Sequence, residues 1–294
     1  MFSWFYDSYI RVMSLLGGYR PEVLVAENDK NKTLPMDLPA TNYGSRYRGA
    51  GVFTGLLGIG IVFTAIAPSA FALTTDWVLQ VFGVVKVLMM LFMLIIVKRI
   101  DGANGLKQDW MNSRLASEKK RYSDLESAIL ELRSGLDAAS TEKVKMKLCG
   151  VLDGAEGQIH YNSNRANQYE AIEHTTARLG TIIFFVALFA ACSLLLSEFH
   201  IIPHQAWLIL FTAFFPAALG GLHGINGFLT IGSLATDHRK MQLFLEAALK
   251  NLKRSDASDT DTVLKIADEV VAGLNSRDDE WKEKTNKENN LSLA

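Results

Sequence analysis

The sequence predicts an all-α membrane protein, with four transmembrane helices arranged as two hairpins and a cytoplasmic helical domain. Three observations carry that expectation. Apolar residues make up 49% of the 294, and they gather in two blocks on either side of a charged middle. Each block holds two runs of roughly 20 residues, enough to cross a hydrocarbon core of about 30 Å at about 1.5 Å per residue. Arg46, Arg48, Lys98, Arg99, Arg178, Arg239 and Lys240 crowd one set of flanks, whereas the 74–77 turn and the 197–205 loop hold neither lysine nor arginine. The positive-inside rule then places both termini and the large middle region in the cytoplasm.

Residues 1–45 are expected to form an N-terminal amphipathic helix and a linker. Phe5, Tyr9, Val12 and Leu16 recur at helical spacing, and Gly17-Gly18 ends the pattern. With no basic region ahead of them and no small-residue cleavage site behind, a signal peptide is not expected. The aromatic content leaves two readings open: a helix lying at the headgroup level, or one packed on a partner. Residues 19–42 are polar and interrupted by prolines, which predicts a loop.

The first transmembrane hairpin, 46–99, joins Gly49–Ala67 to Val78–Val97 through a turn too short for anything but antiparallel helices. Gly51, Gly55 and Gly58 allow another backbone to approach, either as ordinary helix packing or along a pore. Residues 100–178 form the cytoplasmic helical domain, with a narrow stripe of Leu115, Tyr122, Leu125, Ile129 and Leu132 and a turn near Gly135. The second hairpin, 179–229, contains Leu179–Leu196 and Ala206–Phe228, and Pro216 should kink the latter. Near its end, Gly220 and Gly224 offer close packing, while His223 and Asn226 need a partner helix or water. Residues 230–294 supply C-terminal cytoplasmic helices and a charged tail. Met241, Phe244, Leu245, Ala248 and Leu252 mark one stripe; Val263, Ile266, Ala267, Val270, Val271 and Leu274 mark another.

Composition narrows the function. A net charge of -1 argues against nucleic acid as a partner, since phosphate binding needs a basic excess. Cys149 and Cys192 alone make neither a disulfide framework nor a zinc site. Glu198, His200 and His204 are too few, and Pro203 breaks the helix that would align the histidines, so no metal is expected. No glycine-rich phosphate loop or nucleophile elbow is present, so neither a cofactor nor an enzymatic activity is expected.

Lys86 stands out. It lies near the middle of the second span, about 13 Å from either surface, beyond the reach of a stem of roughly 6 Å. No Asp or Glu occurs within any span to pair with it. The hydroxyls of Thr54, Thr64, Ser193 and Thr212 could hydrogen-bond it, as could backbone carbonyls. Either Lys86 is wedged between helices and neutral, or it lines a water-filled lumen, where a ring of copies would favour anions.

The residues resemble the SLATT family, the SMODS- and SLOG-associating two-transmembrane effector domains of bacteria. Tyr47-Arg48 before the first hairpin is similar to that family's entry motif. Trp110, Arg114, Glu118 and Arg121 resemble its tryptophan–arginine–glutamate–arginine helix, and Gln158, Ile159, Tyr161 and Arg165 its glutamine–tyrosine segment. The stretch FFPAALGGLHGI, Ser233 and Trp281 add to the likeness, although this chain has four spans rather than two. The resemblance implies a pore-forming effector of a bacterial antiviral, nucleotide-signalling-type defence system. Its partners would be membrane lipid, further copies of itself, and a cytoplasmic sensor or nucleotide-signalling protein, and it would sit in the bacterial inner membrane. Trp110, Arg114, Glu118, Arg121, Gln158 and Tyr161 would hold its cytoplasmic helices in register. The alternative is a non-conducting membrane scaffold that recruits a soluble partner enzyme.

Overall fold

A computed structural model describes residues 2–19, 38–73, 75–101, 105–134, 138–153, 157–201, 205–256 and 259–291, and side chains among these except at 38, 101, 118–122, 124, 138 and 277–291. The described residues form helices and no strand. In chain order these are α1 (Phe2–Leu16), α2 (Leu38–Ala70), α3 (Asp76–Asp101), α4 (Leu106–Ser134), α5 (Ala138–Asp153), α6 (Gln158–Glu198), α7 (Phe215–Phe228), α8 (Ile231–Arg254) and α9 (Thr260–Leu291). Four helices are long and apolar enough to cross a membrane, within 39–70, 76–100, 139–198 and 210–254. The chain divides into two compact units: residues 1–22, 42–108 and 169–232 in one, and 23–41, 109–168 and 233–294 in the other.

In the first unit α2 lies between α3 and α7. Against α7 the pairs are Gly51 with Phe228, Gly55 with Ile225, Ile59 with Gly221, and Phe63 with Phe214. Against α3 they are Ala50 with Ile96 and Ile100, Phe53 with Phe92, and Gly60 with Met89. Along both seams residue numbers rise on one helix as they fall on the other. Gly180 of α6 meets Leu219 of α7. Missing side chains at Gly51, Gly55, Gly60 and Gly221 create these crossings, because association in lipid rests on close packing rather than on hydrophobic burial. The opposite faces of α3 and α6 are exposed and apolar, with Val84, Leu88, Leu91 and Ile95 on one and Ile182, Phe185 and Phe189 on the other.

Helix ends depart from the expected boundaries. The α2 helix starts at Leu38, inside the stretch expected to be loop, because Pro39 occupies a first-turn position where no N–H is required. In place of a simple kink at Pro216, residues Leu210–Phe214 widen into a π-helical turn, and the Phe215 N–H bonds the Leu210 carbonyl. The wider turn leaves room for the proline ring, which enters at the start of α7. The residues just past α2, α6 and α7 are left-handed without being glycine: Ala72 (φ 51°), His200 (φ 58°) and Thr230 (φ 54°).

The second unit is a helical core in which α4 gives Leu125, Ala128, Ile129 and Leu132, and α5 gives Val144, Leu148 and Leu152. Leu245, Leu249 and Leu252 of α8 and Val263, Ile266, Ala267, Val270 and Leu274 of α9 complete it. Periodic apolar stripes on four helices thus converge. Arg133 grips Asp268 with 2.7 Å to each carboxylate oxygen, and Lys253 reaches Asp153 at 3.0 Å. Asp259 caps α9 by accepting the Thr262 N–H at 3.1 Å, and hydrogen bonding from the Thr262 side chain, with this N–H second, holds its carboxyl below the ordinary 3.8.

Candidate functional site

On α3, covered residues recur at helical spacing: Val78, Phe82, Lys86, Met89 and Met93 are partly covered, and Ile96 and Ile100 are buried. Met89, Ile96 and Ile100 lie on the α2-facing seam, so Lys86 shares the stripe turned toward α2 while most of the remaining helix is exposed. Its amine makes no hydrogen bond or ion pair among the described residues. The hydroxyls expected to serve it bond their own helices instead: Thr54 to the Ala50 carbonyl (2.9 Å), Thr64 to Ile61 (2.8 Å), Ser193 to Phe189 (2.9 Å), and Thr212 to Leu208 and Ile209 (3.3 Å each). A half-covered amine near the middle of this helix therefore has no hydrogen-bonding partner among the described residues.

Small and polar residues of the spans fall into two sets. Gly51 and Gly55 are used within the chain, as a methyl at either would collide with Phe228 or Ile225. Gly58, Gly220 and Gly224 face open space, and His223 is exposed beside them. Asn226 is engaged: the Tyr9 hydroxyl donates to its Oδ1 at 2.5 Å, and its Nδ2 donates to Thr176 Oγ1 at 2.7 Å. Thr176 in turn donates to the Ile172 carbonyl at 3.0 Å. Tyr9 lies on the α1 stripe that helical spacing marks, whereas no pattern in the sequence points to Thr176.

In the second unit, Trp110 is buried and Arg114 is half-covered on α4. Glu118 and Arg121 lie on the same helix, but their side chains are outside the described residues, as is that of Trp281. Gln158 is buried, and its carbonyl accepts from Asn162 Nδ2 at 2.7 Å. Asn162 Oδ1 is an acceptor only, so His238 Nδ1 donates to it at 2.7 Å, which fixes the imidazole tautomer. The Tyr161 ring stands edge-on to His238 at 5.7 Å, and Arg165 lies 5.7 Å from the Tyr161 centroid. Gln158, Tyr161 and Arg165 are thus brought together, with Asn162 and His238 added. The signal for His238 was available: it sits three residues before Met241 and seven before Leu245, on the α8 stripe extended by one turn. No cluster of three metal-ligating side chains occurs among the described residues, and His204 lies outside them.

These features define an all-helical protein whose four long apolar helices suggest a multi-pass membrane protein. No protein-family model, curated protein or solved structure matches the chain.

Proposed function

We propose that the chain is an oligomeric, membrane-permeabilising effector of the bacterial inner membrane, of the kind its likeness to SLATT domains implies. In this reading its four spans form two hairpins, both termini and the second unit are cytoplasmic, and a cytoplasmic partner or signal triggers a rearrangement. The observation that carries it is Lys86. An amine held at mid-span on a partly covered stripe, without a hydrogen bond, is tolerable where water reaches it. Open space beside Gly58, Gly220 and Gly224 supports assembly of copies through faces that the protomer's own packing leaves free.

The test is ion flux in liposomes carrying purified protein, wild type against Lys86→Leu. Wild-type protein should pass anions in preference to cations, and the variant should lose or invert that preference. Equal anion currents from both would remove Lys86 from the mechanism. Absence of flux, with cells that stay polarised while holding abundant protein, would favour the scaffold.

A further inference from the structure

Helix α1 lies crosswise over one end of the spans. Its first turn meets α2, where the Phe2 carbonyl occupies the space a side chain at Gly49 would need and Arg48 donates to the Tyr6 hydroxyl at 3.0 Å. Midway, Tyr9 reaches Asn226 of α7. At its far end Thr175 of α6 donates to the Met13 carbonyl at 2.8 Å, and Gly17 abuts the Ala171 carbonyl. Fifteen residues at about 1.5 Å each give roughly 22 Å, enough to step over three helices spaced about 8–10 Å apart. All three are met where their apolar runs begin or end, beside Arg48 and near Arg178. That is the level at which hydrocarbon gives way to headgroups.

The outward face of α1 is nevertheless apolar. Trp4, Val12, Leu15 and Leu16 are 66%, 53%, 47% and 56% exposed. At about 100° per residue they fall within an arc of about 120°. Arg11 and Asp7, both exposed, lie along one edge of that arc. The face is continuous with the exposed apolar side of α3 through a chain of rings: Trp4 to Phe5 (5.1 Å), Phe5 to Phe53 (4.5 Å) and Phe53 to Phe92 (5.9 Å). At the opposite end of the spans Trp77 and Trp207 are exposed, as interfacial tryptophans are. Trp4 occupies the matching place at this end.

From this geometry we propose that α1 is an in-plane membrane helix whose outward face binds the lipid bilayer at the headgroup–acyl boundary. Its inward face clamps α2, α7 and α6. Both readings of the aromatic stripe then hold at once, on opposite sides of one helix. The proposal does not require that the spans conduct.

The experiment places single nitroxide labels at Asp7, Val12 and Leu15 in a Cys149→Ser, Cys192→Ser background, reconstituted in phosphatidylcholine–phosphatidylglycerol liposomes. Labels at Val12 and Leu15 should collide more with oxygen, which partitions into lipid, than with a water-soluble nickel chelate; the Asp7 label should show the reverse ordering. Nickel access at Val12 and Leu15 would overturn the proposal by placing the face in water. Shielding from both agents would overturn it by showing a second copy or another protein there. A cysteine-independent measurement compares wild type with Trp4→Phe in lipids brominated high on the acyl chain. Removing Trp4 should remove a quenched component of the emission, and an unchanged quenched fraction would count against α1 in lipid.

Discussion

Gly55 and Gly58 are about one helical turn apart on α2 and sit in opposite surroundings. A side chain at Gly55 runs into Ile225, whereas one at Gly58 meets nothing within 4 Å. Gly55→Leu should therefore destabilise the folded chain by about 1–3 kcal/mol, as overpacking does, while Gly58→Leu should leave its melting temperature in detergent unchanged. A Gly58 variant that stays folded but loses oligomers would mark that face as intermolecular. Tyr9 carries a pH dependence. Burial pushes its phenol well above the ordinary 10.0, so the neutral hydroxyl is the form the fold accepts. A group with a raised native pKa contributes fully below its unfolded value and loses that contribution as pH rises toward the native one. Stability should fall above about pH 10 more steeply for wild type than for Tyr9→Phe, as chemical melts across that range would show; parallel slopes would contradict the buried donor.

At the scale of elements, α4, α8 and α9 of the second unit are the most legible part of the chain. Their stripes name most of the residues that the core buries, because a packed helix must hide one face and the 3.6-residue period shows which. Leu249 nevertheless escapes the α8 stripe, and Phe244 on it is exposed. Leu252, fully buried, is the place to test this. Leu252→Ala should cost about 2–5 kcal/mol through lost contacts and a cavity, and a loss below about 1 kcal/mol in denaturant titration would mean that the core is looser than drawn. Helical spacing marks Phe5, Tyr9, Val12 and Leu16 on α1, yet Tyr6, Tyr9, Ile10 and Met13 are the apolar residues it buries. Apolar residues occupy both sides of that helix, so periodicity could not choose the inner one. Stops were equally uneven. Gly18 (φ 84°) follows α1 as a glycine should, whereas Ala72, His200 and Thr230 take left-handed geometry without a compositional cue.

For the whole molecule, the broad apolar faces of α3 and α6 make a simple prediction. Protein expressed in bacteria should stay in the membrane pellet after alkaline carbonate and leave it only with detergent; release by carbonate would contradict spanning helices. The sequence by itself determined that the chain is helical, that four segments are long and apolar enough to cross a bilayer, and which faces of α4 and α9 are buried. Those properties follow from length, hydropathy and period, all local to a segment. Only the tertiary structure decided which glycines pack within the chain and which stay open, that Tyr9, Thr176 and Asn226 form one network, and that His238 joins Asn162. Those are pairings between residues far apart in sequence. A pairing depends on the partner's position as much as on the residue itself, and a one-dimensional pattern records only the residue.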